Sequence, residues 1–395
     1  MMRDELPDKA LVDRHKPVPP FFLAAEDLLE NKGNPEIFIK RIWCTDEKVP
    51  NRGAVVMAPG LATNANIFRM DERGDILDLT HDRSFANLLA SQGFTVYLYH
   101  PSYTERVHNR YVCPYMPESV HYCGTYQAPK HLSFDNMVND EILRVVHYVT
   151  EVWGEKEISW VGYSLGGMLM YAYLSLHPDR RVKNVVTIGT PITLNQIFIR
   201  AVPLLNWISR EMGFEESDPV GGVSSRFVPL SRAIGLIPGR VLRFNPITAF
   251  LANPWNLDDR VTKQILSKVV ETIPPGLAKS FSKMIVRGLD CKMFSPNMVR
   301  EMNEKKKEKT NFLFFFGQYD LLAPPDTVIL AHEIISPQIP DNLIGVPRAG
   351  HVDIMVGKNA REDVWLPTLS WLKEKATPQS APRQSNRPGR LVPID

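Results

Sequence analysis

The 395-residue chain lacks most of the marks of a secreted, membrane-spanning or nucleic-acid-binding protein. It has four cysteines, too few for a disulfide framework, and no Asn-x-Ser/Thr site for glycosylation. Its formal net charge of +2 gives no basic field that would attract nucleic acid. No apolar run is long enough to span a membrane, and residues 1–20 have no apolar stretch typical of a secretory signal. We therefore expect a soluble, cytoplasmic protein that binds a small molecule or lipid, with at most transient contact with a membrane surface.

The chain also lacks a recognisable metal site. Candidate ligands occur close together at His108, Cys113, His121 and Cys123, but their spacing matches no zinc finger or ribbon. A disulfide between the two cysteines is an alternative in an oxidising compartment. We expect no metal and no cofactor.

Seven apolar runs have the length and composition of buried strands. They cover residues 36–43, 53–59, 94–100, 157–163, 184–190, 311–317 and 341–347. Helical patterns lie between several of them, at residues 84–91, 136–153, 165–177, 324–335 and 362–375. This alternation predicts an α/β fold with a mainly parallel sheet flanked by helices.

One long interval interrupts the alternation and predicts an insertion. Residues 194–310 contain no clear strand and are too many for a connecting loop, so we interpret them as a largely helical cap. An apolar stripe from Ile197 to Ile208 belongs either to the core of this cap or to a lipid-facing surface. The predicted core is then residues 23–193 and 311–376. Residues 1–22 and 377–395 are Pro-rich and polar, which is typical of disordered segments.

A serine lies where a predicted strand turns into a predicted helix, in the stretch "VGYSLGG". Gly162 and Gly166 flank Ser164 at two residues on either side, where a sharp turn requires small residues. The serine oxygen would then lie above the N-terminal end of the helix, where N–H groups favour negative charge. A G-x-S-x-G match arises by chance in roughly one chain in ten of this length. Its position between a strand and a helix favours a nucleophile.

Two later residues could activate this serine. Asp320 follows the strand at 311–317, and His351 follows the next one, in the order Ser, Asp, His that is typical of an α/β-hydrolase. Asp320 could instead cap the helix that follows it, and His351 could be an ordinary loop histidine. Asp353 is a rival acid, but it would have to reach back around its own turn.

Acyl transfer through a serine also requires donors for the oxyanion. We expect these to be the backbone N–H of Leu165, directly after the nucleophile, and of Leu61, after the strand at 53–59. The alternative is that Pro59 and Gly60 only make a turn.

The chain resembles the α/β-hydrolase superfamily over residues 36–192 and 311–374. Within it, "APGLATNANIF" and "LSFDNMVNDEILRVVHYVTE" resemble segments of acid lipases. "GYSLGG" is similar to the nucleophile turn of polyhydroxyalkanoate synthases, which carries Cys where this chain has Ser164. Acid lipases usually have His at the positions of Pro59 and Tyr163, so this chain departs from that branch.

These patterns predict a serine hydrolase that cleaves a carboxylic ester, with a lipophilic acyl group, through an acyl-enzyme. Ser164, His351 and Asp320 would form the triad. The alternative is an acyltransferase that uses an alcohol or thiol acceptor, although the H-x-x-x-x-D pattern of several lipid-linked acyltransferases is absent. A non-catalytic ligand-binding protein is a third reading, which an intact triad disfavours.

Overall fold

The computed structural model describes residues 22–31, 34–70, 84–105, 107, 127–177, 179–194, 239–244, 246–287, 300–301, 304 and 309–376. Three predictions lie outside these residues: the cluster from His108 to Cys123, the apolar stripe from Ile197 to Ile208, and the disordered tail at 377–395. The predicted disordered N-terminal segment overlaps the described residues only at Phe22.

Eight strands form one sheet in the order β1-β2-β4-β3-β5-β6-β7-β8. Their bounds are β1 Phe22–Asn31, β2 Asn34–Cys44, β3 Ala54–Ala58, β4 Thr95–His100, β5 Ile158–Tyr163, β6 Val182–Ile188, β7 Asn311–Gly317 and β8 Leu343–Val346. The pairs β1–β2 and β2–β4 are antiparallel, and the other neighbours are parallel. All seven predicted strands are present, and the predicted α/β fold with a mainly parallel sheet is confirmed.

The sequence does not predict strand β1. Its residues "FLAAEDLLEN" are rich in Ala, Leu and Glu, which favour helix. The segment is nevertheless a strand because it pairs along β2, from Phe22 opposite Cys44 to Leu29 opposite Ile37. Pairing between strands has outweighed the intrinsic preference at this edge of the sheet.

Ten helices whose bounds lie within the described residues accompany the sheet. They are α1 Phe85–Ser91; α2, made of the consecutive segments Phe134–Asn136, Met137–Ile142, Leu143–His147 and Tyr148–Val152; α3 Leu165–Leu176; α4 Gly239–Arg243; α5 Pro246–Leu251; α6 Asp259–Gln264, continued by Ile265–Val269; α7 Pro275–Arg287; α8 Pro325–Ile335; α9 Asp353–Val356; and α10, made of Arg361–Trp365 and Leu366–Lys375. Short 3-10 turns cover Ala65–Arg69 and Pro340–Asn342. The five predicted helices correspond to α1, α2, α3, α8 and α10. None of the described helices is long and apolar enough to cross a bilayer.

The central strands are buried on both faces of the sheet. In β3, Ala54, Val56 and Ala58 belong to one hydrophobic cluster, whereas Val55 and Met57 belong to the other. Side chains of α2 and α3 complete the first cluster, and side chains of α1, α9 and α10 complete the second. Burial on both faces explains why these strands are continuous apolar runs rather than alternating ones.

Part of the predicted cap insertion packs directly on the core. We call residues 246–287 the cap segment; it contains α5, α6 and α7. Phe281 of α7 contacts Phe134 at the start of α2 with ring centroids 6.4 Å apart, and the Phe134 N–H donates to Ser280 Oγ at 3.2 Å. The described residues of this interval are mainly helical, while the limits of a separate cap at 194 and 310 stay a prediction.

Candidate active site

Ser164 lies at a strained turn between β5 and α3. Its φ of 50° and ψ of −113° put a non-glycine residue in a region that L-amino acids rarely occupy. The backbone is held there because the Ser164 N–H donates to Ile188 O at 2.9 Å and the Ser164 carbonyl accepts from Gly167 N–H at 3.0 Å. This strained conformation directs the serine side chain away from the strand and places it at the N-terminal end of α3.

The glycines around Ser164 are required by close backbone contacts. A Cβ at Gly162 would lie 2.5 Å from Gly167 N, and a Cβ at Gly166 would lie 2.2 Å from Ala58 O. Both distances are well inside van der Waals contact with backbone that cannot easily move. The turn itself therefore requires glycine at both positions, where the sequence pattern predicted small residues.

His351 contacts both of the other residues that the sequence singles out. Its Nε2 lies 2.9 Å from Ser164 Oγ, and its Nδ1 lies 2.8 Å from Asp320 Oδ2. His351 and Asp320 are buried, with 6% and 1% of their surfaces exposed. An ionised Asp320 can only accept, so Nδ1 carries the proton and Nε2 is left to accept the Ser164 hydroxyl.

Asp320 is held in place by the backbone that follows it. Its Oδ1 accepts from Leu322 N–H at 2.9 Å and Ala323 N–H at 2.7 Å, which leaves Oδ2 directed at His351. Asp320 does not cap the following helix, because the N-cap residue of α8 is Pro324. The alternative interpretation of Asp320 as a helix cap is therefore excluded by the geometry.

Asp353, the rival acid, faces away from the His351 ring nitrogens. Its Oδ1 accepts from Gly350 N–H and Asn253 N–H, each at 2.9 Å, and its Oδ2 accepts from Asn256 Nδ2 at 2.6 Å. Burial raises the pKa of this carboxyl, and these hydrogen bonds oppose that rise. Asp320, rather than Asp353, is therefore the acid that contacts His351.

The loop after β3 passes directly beside Ser164. We call residues 59–64 the Gly60 loop. A Cβ at Gly60 would lie 3.3 Å from Ser164 Cβ and 2.8 Å from Tyr163 Cε1, so only glycine fits without displacing the tyrosine ring. The Gly60 carbonyl accepts from Thr63 N–H at 3.3 Å and Thr63 Oγ1 at 2.9 Å, which closes a tight turn.

Leu61 and Leu165, the predicted oxyanion donors, follow Gly60 and Ser164 directly. Within the described ranges, neither backbone N–H donates to a protein acceptor. The loop does make a turn, as the alternative prediction has it, and that turn brings Gly60, the residue before Leu61, next to the serine. An oxyanion role for the two N–H groups stays a prediction.

Tyr103 and Glu271, which sequence reasoning missed, hold the Gly60 loop, and Asn64 of the loop itself makes one of the contacts. Tyr103 Oη lies 3.0 Å from Gly60 O and 3.1 Å from Thr63 O. Asn64 Nδ2 donates to Glu271 Oε1 of the cap segment at 2.7 Å, and the Glu271 N–H donates to Ala62 O at 2.8 Å. No sequence signal links residues 64 and 271, because the contact forms only when the cap segment packs on the core.

Tyr163 and Gly189 lie beside His351 and Asp320, and the sequence did not predict a place for either residue at the site. Tyr163 Oη donates to His351 O at 3.1 Å. Burial, followed by the nearby carboxylates of Asp320 and Asp353, raises the pKa of Tyr163 well above its usual value, so the phenol stays a donor. Gly189 has φ +54°, and a Cβ there would lie 3.3 Å from Asp320 Oδ2. Glycine thus leaves room for the acid beside β6.

Together, the fold and this site define an α/β-hydrolase. A family model described as alpha/beta hydrolase fold matches residues 53–358, which is more than half of the chain. The chain belongs to this family.

Sequence relatives and solved structures differ in their named activities. Poly(3-hydroxyalkanoate) polymerase subunit PhaC of Haloferax mediterranei is 21% identical over 325 residues, covering 78% of this chain and 58% of that protein. The PhaC of Allochromatium vinosum is 23% identical over 334 residues, covering 78% of this chain and 80% of that protein. The chain thus spans less than two thirds of the Haloferax relative.

Among solved structures, the esterase EaEST from Exiguobacterium antarcticum superposes with a TM-score of 0.53 at 14% identity, covering 88% of this chain and 99% of the esterase. A lipase in its open form superposes with a TM-score of 0.54 at 12% identity, covering 89% of this chain and 98% of the lipase. At these identities the likeness concerns the fold alone.

Proposed function

We propose that this protein is a serine hydrolase that cleaves a carboxylic ester with a lipophilic acyl group through an acyl-enzyme. One observation carries the proposal: the His351 ring lies within hydrogen-bond distance of Ser164 Oγ on one side and Asp320 Oδ2 on the other. A serine hydroxyl is a weak nucleophile until a positioned base removes its proton. A histidine oriented by a buried carboxylate is such a base.

The first half of the reaction forms the acyl-enzyme. Ser164 Oγ attacks the ester carbonyl carbon while His351 Nε2 takes the hydroxyl proton. The carbonyl oxygen becomes an oxyanion, which the N–H groups of Leu61 and Leu165 would bind. As the ester C–O bond breaks, His351 gives its proton to the departing alkoxide, and the alcohol leaves.

The second half releases the acid. Water attacks the acyl-enzyme and loses a proton to His351 Nε2, and the same proton then returns to Ser164 Oγ as the acyl C–O bond breaks. Asp320 keeps its charge throughout and stabilises the imidazolium that forms twice per cycle. Each oxyanion donor is expected to contribute about 10²- to 10³-fold to kcat.

A lipophilic acyl group is supported by the side chains close to the site in sequence. Tyr319 and Leu321, on either side of Asp320, are 62% and 39% exposed, and Leu61 is only partly buried. The formal net charge of +2 offers no strong field for a multiply charged substrate. Esters with an apolar acyl chain fit these features better than highly charged esters.

Acyl transfer is the second candidate, and the relatives named as poly(3-hydroxyalkanoate) polymerase subunits favour it. In that reaction, a hydroxyl group rather than water would attack the acyl-enzyme. The two candidates share every step up to the acyl-enzyme and differ only in the acceptor. Ser164 is compatible with both, since either acceptor is activated by the same His351.

A single product analysis separates the two candidates. The protein is incubated with a p-nitrophenyl 3-hydroxyacyl ester, and the products are identified by mass spectrometry. Hydrolysis yields the free 3-hydroxy acid, whereas transfer yields ester-linked dimers and longer chains. We expect the free acid as the main product. A predominance of oligomers would establish the transferase, and the absence of any turnover or fluorophosphonate labelling would refute both.

A further inference from the structure

The cap segment lies along the loop that carries His351. We call residues 347–358 the His351 loop. The Val352 N–H donates to Leu251 O at 2.9 Å, and the Lys358 N–H donates to Asn256 O at 2.9 Å. These backbone bonds join the two segments on both sides of Asp353, at positions about 100 residues apart in sequence.

Asp353 forms the centre of this contact. It is 1% exposed, and its two carboxylate oxygens accept from Gly350 N–H, Asn253 N–H and Asn256 Nδ2. One donor therefore belongs to the His351 loop and two belong to the cap segment. Gly350 has no room for a side chain, because a Cβ there would lie 2.9 Å from both Asn253 N and Asp353 Oδ1.

The peptide groups around His351 are consequently fixed from several directions. The N–H of Gly350, the preceding residue, donates a hydrogen bond to the Asp353 carboxylate. The N–H of Val352, the following residue, donates to the Leu251 carbonyl of the cap segment. The His351 carbonyl accepts from Tyr163. The imidazole thus extends from a backbone whose orientation depends on Asp353 and on the cap segment.

We propose that Asp353 is a positioning residue, which binds the cap segment to the His351 loop and thereby keeps the His351 ring between Ser164 and Asp320. This inference rests on the proposed serine hydrolase function. A misplacement of about 1 Å in a reacting group costs on the order of 10²-fold in rate. Loss of the Asp353 contacts therefore lowers kcat even though Asp353 contacts neither substrate nor the reacting atoms.

The first test compares Asp353→Ala with Asp258→Ala. Asp258 belongs to the same cap segment, and its carboxylate also accepts a backbone N–H, from Arg260 at 2.7 Å, but the described contacts do not join it to the His351 loop. Asp353→Ala is expected to lower kcat about 10- to 100-fold with KM changed less than about twofold. Asp258→Ala is expected to keep the wild-type kcat.

The second test uses the Asp353–Asn256 hydrogen bond and does not remove any side chain. Asn256→Asp places two carboxylates 2.6 Å apart, where both cannot ionise, so they share a proton. As pH rises the shared proton is lost, the carboxylates repel, and the alkaline side of the kcat profile falls earlier than in the wild type. In the double variant Asn256→Asp with Asp353→Asn, the amide and carboxylate exchange places, and the wild-type profile is restored.

A spectroscopic readout keeps this test separate from the test of the proposed function. The downfield proton NMR signal of His351 Nδ1–H reports the bond to Asp320 whether or not any ester is turned over. We expect this signal to shift or broaden in Asp353→Ala and to be unchanged in Asp258→Ala. Wild-type protein that fails to react with a fluorophosphonate would refute the hydrolase function. The positioning role would be refuted if the wild type reacts with the fluorophosphonate but Asp353→Ala has the same kcat and the same Nδ1–H signal as the wild type. It would also be refuted if the double variant did not recover the wild-type pH profile.

Discussion

Tyr163 and His351 are joined twice: the tyrosine hydroxyl donates to the His351 carbonyl at 3.1 Å, and the two ring centroids lie 5.3 Å apart. Tyr163 is the last residue of β5 and directly precedes Ser164. The residue before the proposed nucleophile therefore holds the backbone of the proposed base. That base follows β8, the strand at the edge of the sheet. A shift of the strained turn would displace both groups together.

Tyr163→Phe tests this link with minimal loss of packing. The ring is retained, but the His351 carbonyl loses its buried donor, so we expect a several-fold fall in kcat and a loss of about 1 kcal/mol in the free energy of unfolding. Tyr171→Phe is the matched control, because Tyr171 is equally buried and its hydroxyl bonds to Thr187 Oγ1 at 3.0 Å instead. Equal losses of kcat in the two variants would show that Tyr163 acts only through stability.

Ser164→Ala should abolish ester turnover and fluorophosphonate labelling while the protein stays folded. We expect kcat to fall by about 10⁴-fold or more, because the acyl-enzyme can no longer form. Circular dichroism and thermal unfolding provide the check on folding. The removal of Oγ costs little, and alanine at a φ of 50° is no more strained than serine. Labelling that persists in a folded Ser164→Ala protein would show that another residue is the nucleophile.

Asp320→Asn should damage catalysis far more than Asp353→Asn. An asparagine at 320 no longer fixes the His351 tautomer, and comparable substitutions in serine triads cost about 10⁴-fold in kcat. At position 353, the Asn256 amide can turn over and accept from the new amide, so we expect a loss below about tenfold. If steady-state kinetics showed comparable losses for both variants, or a severe loss for Asp353→Asn alone, the assignment of Asp320 as the acid would be wrong.

The sequence predicted the seven strands from 36–43 to 341–347 because most of them are continuous apolar runs. It placed Asp320 and His351 at strand ends because each residue follows one of these runs along the chain. It favoured Asp320 over Asp353, because Asp353 would have to reach back around its own turn to contact His351. The direction of the Asp353 carboxylate cannot be read from the sequence, and only its hydrogen bonds to Asn253 and Asn256 show which way it points. Strand β1 was missed because long-range pairing decides it.

The residues that hold the loops of the site in place were missed for a different reason. Tyr103 and Glu271 carry no motif, and their contacts with the Gly60 loop join segments that lie far apart in sequence. Gly189 follows a strand, as many glycines do, and its role becomes visible only when Asp320 is placed against it. Patterns along the chain locate groups at strand ends, whereas the contacts that orient them depend on packing.

Tyr103→Phe should weaken the site at the Gly60 loop. The variant removes the hydroxyl that lies 3.0 Å from Gly60 O, so the loop that carries Leu61 is held less firmly. We expect kcat and the affinity for an alkyl boronic acid, which forms a tetrahedral adduct with the serine, to fall together by about tenfold. Tyr99→Phe is the control, because Tyr99 is also buried but its hydroxyl bonds to Glu141. An unchanged boronic acid affinity in Tyr103→Phe would contradict the role of this loop in oxyanion binding.

The length of the acyl chain should determine the catalytic efficiency. Each methylene group buried from water contributes about 0.8 kcal/mol, close to fourfold in binding, and part of this gain should appear in kcat/KM. We expect kcat/KM for p-nitrophenyl esters to rise from acetate to longer acyl chains and to level off where the pocket ends. The measurement uses initial rates below the concentrations at which the longer esters form micelles.

This series has to be measured with the insertion intact. Residues 251–271 hydrogen-bond both the His351 loop and the Gly60 loop, so excising them would disturb the reacting groups as well as the acyl pocket. Because every ester has the same leaving group, differences in kcat/KM report the acyl chain, and Ser164→Ala measured with each ester gives the background rate. A series that is flat or that falls with chain length would exclude a lipophilic acyl pocket and would indicate a small polar ester instead.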